Sequence, residues 1–323
     1  MITFTLLVTG LILLLAGGTS LVRGASGVAE SYGISPMVVG LTVVAFGTSS
    51  PELVVNIIGA LNGETDIAFG NITGSNLANL GLVLGFSAVI TPIALQGQVI
   101  RRELPLLLLA TVILLVMTMD THLRGFSPLL DRSDGLVLLL LFGVFIYIMV
   151  MDLLKETQDP LISTMSELSP QLTSSQTVNW LFVAAGVIGL AVGGHLTITH
   201  GTDLASMFNV PPTIIGMFVI AIGTSMPELV TSIIAAFRKE ADLCVGNVIG
   251  SNLFNSLMVL PISALVTPLA IPEGGVGDII ISLLFAAVLL PVFFLRNKMM
   301  SRVTGGLFLA AYLGYLILRL SLA

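Results

Sequence analysis

Two short stretches place a carboxylate, hydroxyls and a proline inside otherwise apolar sequence: Thr48, Ser49, Pro51 and Glu52, then Thr224, Ser225, Pro227 and Glu228. A carboxylate within a membrane-spanning segment is costly and is kept where it meets a cavity, a counter-charge or an ion. No Lys or Arg falls within the surrounding apolar runs to serve as a structural partner. Each threonine precedes its glutamate by four residues and each serine by three, a spacing that sets their oxygens on one helix face. Hard cations such as Na⁺ and Ca²⁺ favour oxygen ligands of this kind.

Pro51 and Pro227 each lack an amide hydrogen and clash with the carbonyl four residues earlier, so the helices are expected to break there. Carbonyls freed near Ala45 to Gly47 and Ala221 to Gly223 then become further candidate ligands, because irregular backbone in a membrane is tolerated where it lines a cavity. A kink needed only for packing is the plainer alternative. A second polar stripe follows at successive i+4 positions: Asn71, Ser75 and Asn79, and later Asn247, Ser251 and Asn255. These side chains can coordinate a cation or hydrogen-bond between helices, with Gly70, Gly74, Gly246 and Gly250 allowing close backbone approach. Both roles are expected, with Ser75, Asn79, Ser251 and Asn255 nearer the ions.

The two regions are copies of one another. Gly40 to Asn79 contains VVAFGTSSPELV and GNITGSNLAN, and Gly216 to Asn255 contains VIAIGTSMPELV and GNVIGSNLFN, at a constant offset of 176 and with about half the aligned positions identical. The remaining sequence must carry these motifs through a bilayer. The chain has 323 residues, 55% of them hydrophobic and 9% charged, and a mean hydropathy of +1.06, which excludes an ordinary soluble domain. Apolar runs of roughly twenty residues, each long enough to cross the hydrocarbon, cover most of it.

The runs predict an all-α membrane protein with ten transmembrane helices, near residues 2–22, 36–61, 66–90, 103–119, 133–153, 178–199, 212–237, 242–266, 277–295 and 302–321. With five spans per copy, the two copies enter the membrane in opposite directions. The expected organisation is a first five-helix repeat over 1–153 (motif 40–81), a polar cytoplasmic linker over 154–177, and a second repeat over 178–323 (motif 216–257). Inverted repeats of this sort belong to secondary transporters, with ion sites at the midplane where helices are interrupted.

Nine of the twelve Lys and Arg residues fall on one side if both termini lie outside: Arg23, Arg101, Arg102, Lys155, Arg238, Lys239, Arg296, Lys298 and Arg302, against Arg124, Arg132 and Arg319. The first apolar run has no basic residue ahead of it, which favours a first helix over a cleaved signal. The net charge of −6 carries no nucleic-acid footprint, and the single Cys244 excludes an internal disulfide. An intramembrane hydrolase lacks a motif here, because His195 and His200 stand five apart without an HExxH pattern. A cation channel is a remote alternative, less suited to paired, proline-broken repeats.

Charge counting restricts the mechanism. Two ionised glutamates balance one Ca²⁺ or two Na⁺, so ions competing for the same oxygens exchange, while the empty dianion is expected not to cross.

GTSSPE with GNITGSN, and GTSMPE with GNVIGSN, resemble the alpha repeats of the sodium/calcium exchanger family within the calcium/cation antiporters, closest to its short prokaryotic, inner-membrane members. The resemblance covers both repeats and nearly the whole chain. It implies a ten-helix antiporter, not an enzyme and without a cofactor, in which helices 2, 3, 7 and 8 form the ion core and helices 1 and 6 slide across it. The transported ions would be Ca²⁺ and Na⁺, or H⁺, and one chain would suffice.

By motif position the resemblance implies the carbonyls of Ala45 and Ala221 as ligands, together with Thr48, Ser49, Glu52, Ser75 and Asn79, and Thr224, Ser225, Glu228, Ser251 and Asn255, with the two glutamates bridging Ca²⁺. Many sodium-coupled members carry Asp where this chain has Asn255, a departure that opens proton coupling as an alternative. The large calcium-sensing insert of animal exchangers has no counterpart between the repeats.

Overall fold

A computed structural model describes residues 2–94, 99–123, 125, 127–156, 175–208, 221–295 and 299–322. Most of the 154–177 linker, the start of the seventh expected span, and Arg124, Arg296 and Lys298 lie outside these residues. The described chain is almost entirely helical: α1 (Ile2–Tyr32), α2 (Pro36–Thr48), α3 (Ser50–Leu61), α4 (Thr65–Ile90), α5 (Leu104–Met117), α6 (Arg132–Glu156), α7 (Gln176–Met207), α8 (Ala221–Thr224), α9 (Met226–Phe237), α10 (Ala241–Val266), α11 (Gly275–Leu295) and α12 (Arg302–Leu322). Among the described residues, six helices are long and apolar enough to cross a membrane, or seven if α2 and α3 form one broken span. Shorter or less apolar helices, α5, α9 and α12, occupy three of the other expected spans.

Contacts divide the chain into two units that interleave its halves, Met1–Thr48 with Gly143–Gly250, and Ser49–Phe142 with Ser251–Ala323. In the first unit α1 and α7 lie antiparallel along their length, joined by glycines seven residues apart. A Cβ added at Gly17 would meet the Leu190 nitrogen at 2.7 Å, and one at Gly193 would meet the Leu14 nitrogen at 2.7 Å. Backbone contact this close admits no side chain. Both helices outrun their expected spans, which ended near residues 22 and 199. Gly24, Ala25, Val28 and Ala29 are poorly hydrophobic as a run, yet they are buried, and Gly24 meets Val183 of α7. Arg23 is therefore a helical residue, its guanidinium 4.6 Å from the Phe182 ring centroid. In the same unit α2 crosses the first half of α10, where a Cβ at Gly246 or Gly250 would meet the Met37 or Leu41 carbonyl at 2.7 Å.

In the second unit α3 packs on the first half of α4, α12 on its second half, and α11 on α5. Two-residue strands pin the ends of these helices: β1 (Ile93–Ala94) pairs antiparallel with β4 (Met299–Met300), and β2 (Leu129–Leu130) with β3 (Leu269–Ala270). Beside each ladder an arginine caps a helix, Arg302 donating to the Ile90 carbonyl at 3.3 Å and Arg132 to the Val266 carbonyl at 3.4 Å. The most apolar stretches of α4 and α10 are 78% and 89% buried, against 28% to 33% for α1, α6, α7 and α11. The most polar spans thus form the interior, and the most apolar ones present Leu140, Ile188 and Leu284 outward.

Elements recur at the 176 offset with identical bounds, α3 with α9, α4 with α10, and a π-helical turn at Asn79–Val83 with one at Asn255–Val259. The turns that join α3 to α4 and α9 to α10 recur too. Gly63 takes φ +80° in the first, and Lys239, the related residue, takes φ +63° in the second. A non-glycine residue there costs roughly 1 kcal/mol or more. Lys239→Gly is expected to raise the melting temperature of the detergent-solubilised protein, and an unchanged or lower midpoint would show that the lysine is not strained.

Candidate functional site

Each glutamate owes its place to a helix break two residues before its proline. α2 ends at Thr48, Ser49 sits at φ −85°, ψ 2°, and α3 begins at Ser50 with Pro51 in its first turn. In the second copy α8 ends at Thr224, Ser225 takes φ −85°, ψ 6°, and α9 begins at Met226. Proline is well tolerated in a helix's first turn, where its missing amide would have had no intrahelical acceptor. The break falls between Thr48 and Glu52 and between Thr224 and Glu228, so neither pair lies on one unbroken helix. Glu52 and Glu228 instead occupy the first turns of α3 and α9, fully buried, where the helix dipole favours an anion.

The candidate ligands fall into two clusters, one in each unit. The first holds Ala45, Thr48, Ala221, Thr224, Ser225 and Glu228. Ala45, Thr48, Thr224, Ser225 and Glu228 are all buried, and Ala221 begins α8. The Thr48 hydroxyl lies 3.1 Å from Asn247 Oδ1 and 3.3 Å from the Ala45 carbonyl, both acceptors of its single hydrogen. Toward any further atom that oxygen can act only as an acceptor. Asn247 in turn donates through Nδ2 to Ser232 Oγ at 2.9 Å and toward the Glu228 carbonyl at 3.4 Å. It ties α10 to the turn that bears the carboxylate.

The second cluster holds Ser49, Glu52, Ser75, Asn79, Ser251 and Asn255, all buried. α3 packs on the Asn255–Val259 turn and on the end of α10, which places these groups within one interior. Asn56 braces the helix behind Glu52, donating to the Ala68 carbonyl at 2.9 Å and accepting from Asn71 Nδ2 at 2.8 Å. Asn79 Nδ2 donates to Asn252 Oδ1 at 3.0 Å. Three oxygens, Asn79 Oδ1, Asn255 Oδ1 and Ser225 Oγ, are buried with no hydrogen-bond partner among the described residues. Buried polar atoms are ordinarily paired, so such orphans call for a water or an ion.

Other buried acids have local partners at helix ends. Glu103 pairs with Arg102, Asp120 accepts from the Leu129 amide at 3.3 Å, and Asp134 accepts from the Asp131 amide at 3.1 Å. Behind the candidate ligands stand buried polar groups that the sequence analysis does not assign a role: the amides Asn56, Asn76 and Asn252 and the hydroxyls Ser232 and Ser256. Their signal was available at Asn76 and Asn252, which are the same residue at the same place in both copies.

A family profile described as sodium/calcium exchanger protein matches residues 2–151 and 178–321. The chain belongs to this sodium/calcium exchanger family. It is 36% identical over 311 residues to the putative antiporter CaxA of Alkalimonas amylolytica, covering 95% of each chain. It is likewise 36% identical to the inner membrane protein YrbG of Escherichia coli, over 81% of this chain and 79% of that one. Among solved structures, the sodium-calcium exchanger NCX_Mj, soaked with Na⁺ and Ca²⁺, superposes with a TM-score of 0.80 at 29% identity over 97% of both chains. Membership in this family of membrane exchangers fits an interior of hydroxyls, amides and carboxylates enclosed by apolar helices.

The bracing role of Asn247 has a direct test. Asn247→Leu removes the partner of Thr48 and Ser232 while keeping volume, and is expected to cost about 1–3 kcal/mol for the buried groups it abandons. Thermal melting of the purified protein checks this, and an unchanged midpoint would show that the contacts contribute nothing.

Proposed function

We propose that the chain is a secondary active antiporter that exchanges Ca²⁺ for Na⁺ by alternating access, with Glu52 and Glu228 as the central ion ligands. The observation that carries this reading is the break found in both copies, which seats a fully buried glutamate in a helix's first turn after a Thr-Ser pair. Neutral oxygens from Thr48, Ser49, Ser75 and Asn79, and from Thr224, Ser225, Ser251 and Asn255, complete the proposed ligand set with the Ala45 and Ala221 carbonyls. Such mixed oxygen donors suit Na⁺ and Ca²⁺ and let the ions be released again. Transport of Na⁺ and Ca²⁺ by the related NCX_Mj supports the choice of ions.

We read the architecture as ten spans in two inverted repeats, 1–153 and 178–323, joined by a cytoplasmic linker, with both termini outside. The antiparallel run of α1 against α7, the first helices of the two copies, supports the inversion. The Lys and Arg distribution supports the orientation, and the similarity to YrbG supports the inner membrane. One chain carries both motifs, so a monomer suffices.

Proton coupling is the second reading, favoured by Asn255, a neutral amide where many sodium-coupled members carry a carboxylate. Without that third charge, protonation of the two glutamates is enough to release a divalent ion. The two readings part in proteoliposomes loaded with Na⁺ or acidified inside, with ⁴⁵Ca²⁺ uptake as the readout. Uptake driven by the outward Na⁺ gradient is expected, and uptake driven only by the proton gradient would replace sodium with H⁺. Glu52→Gln and Glu228→Gln should each abolish uptake in a folded protein, since charge is lost with little change of shape. Wild-type rates in either variant would remove that glutamate from the site. Asn255→Asp should increase the sodium dependence of uptake, and an unaltered sodium response would show that charge at this position does not set the coupling ion.

A further inference from the structure

Within the unit formed by Ser49–Phe142 and Ser251–Ala323, four asparagines stand at repeat-related positions, Asn76 with Asn252 and Asn79 with Asn255. All four are buried, yet their hydrogen bonds do not follow the repeat. Asn252 Nδ2 donates to the backbone carbonyl of Asn76 at 3.0 Å, and Asn252 Oδ1 accepts from Asn79 Nδ2 at 3.0 Å. A backbone carbonyl can only accept, so it compels Asn252 to turn its nitrogen that way and its oxygen toward Asn79. Asn79 must then give its own nitrogen to Asn252. Its Oδ1, buried without a hydrogen-bond partner among the described residues, is the end that remains for another atom.

The related arm has no such relay. Asn76 gives its Nδ2 to Ser256 Oγ at 2.9 Å, and the first copy has Leu80 where the second has Ser256. Asn255 is left with both amide atoms buried and without a hydrogen-bond partner among the described residues. Among the described residues, no hydrogen bond selects which of its ends faces inward. An amide ligates a cation through oxygen alone, and a nitrogen turned toward the ion would repel it, so control of amide orientation is control of affinity.

We propose that Asn252 is a positioning residue that sets the polarity of Asn79, anchored on the Asn76 carbonyl, so that Asn79 presents oxygen to the transported cation while Asn255 turns without a clamp. The inference rests on the reading of Asn79 as an ion ligand. Groups that orient a metal ligand typically change affinity by about 10- to 100-fold when removed.

The test is a double-mutant cycle on the apparent KM for Ca²⁺, measured as ⁴⁵Ca²⁺ uptake by proteoliposomes of the full chain under the gradient that drives the wild type. Asn79→Ala and Asn252→Leu are each expected to raise KM about tenfold or more. The double variant should be no worse than Asn79→Ala, because Asn252 has nothing left to orient. A purely structural role for Asn252 would multiply the two effects instead, and that result overturns the proposal, as does a wild-type KM in Asn252→Leu. A wild-type KM in Asn79→Ala would overturn the ligand reading itself, which the cycle separates from failure of the positioning role. Size-exclusion profiles check folding, and Asn252→Ala takes the place of the leucine variant in the cycle if the latter aggregates.

Discussion

Burying a carboxylate in a protein that itself lies in hydrocarbon is the constraint on which the rest of this structure depends. A carboxylate that ionises out of water loses its hydration at a cost of several kcal/mol even after relaxation, and two glutamates here are fully buried. Neither has a Lys or Arg within its apolar run. What the fold supplies in place of a counter-charge is a helix N-terminus. Ending one helix at a threonine and starting the next at Ser50 or Met226 sets each glutamate in a helix's first turn, at the positive end of its dipole. Pro51 and Pro227 make the restart cheap, because the amide they lack is one the helix does not use.

The polar interior then dictates which helices lie outside. α4 and α10 carry the amide and hydroxyl stripe and are the most enclosed spans, while helices of higher hydropathy form the periphery. Close crossings at Gly246 and Gly250 bring α2 against α10 so nearly that side chains as short as Asn247 and Thr48 can meet. The glycines of the motif therefore act on the site through distance. Each sets how far an amide must reach.

Much of this was legible in the sequence, and for identifiable reasons. A carboxylate amid apolar residues is conspicuous, and the duplicated motif marks both glutamates and their neighbouring oxygens. The position of each break was misplaced because the rule used for proline describes a helix interior, and these prolines sit at a start. The length of α1 was underestimated because Gly24, Ala25 and Ala29 contribute little hydropathy, although contact with α7 buries them. Which amide braces which candidate ligand was not legible at all. That depends on pairs such as Asn79 with Asn252, 173 residues apart, whose meeting only the tertiary fold decides.

Repeat symmetry, finally, is a statement about backbone more than about side chains. Helix bounds, turn conformations and π-helical turns recur at one offset, yet the hydrogen bonds of the paired amides differ between the copies, as where Asn76 donates to Ser256 and the related residue in the first copy is Leu80. The turn conformation itself is retained even where its residue resists it, at Lys239. Helix packing fixes the duplicated backbone, and a handful of buried hydrogen bonds fixes the unequal side-chain networks it carries.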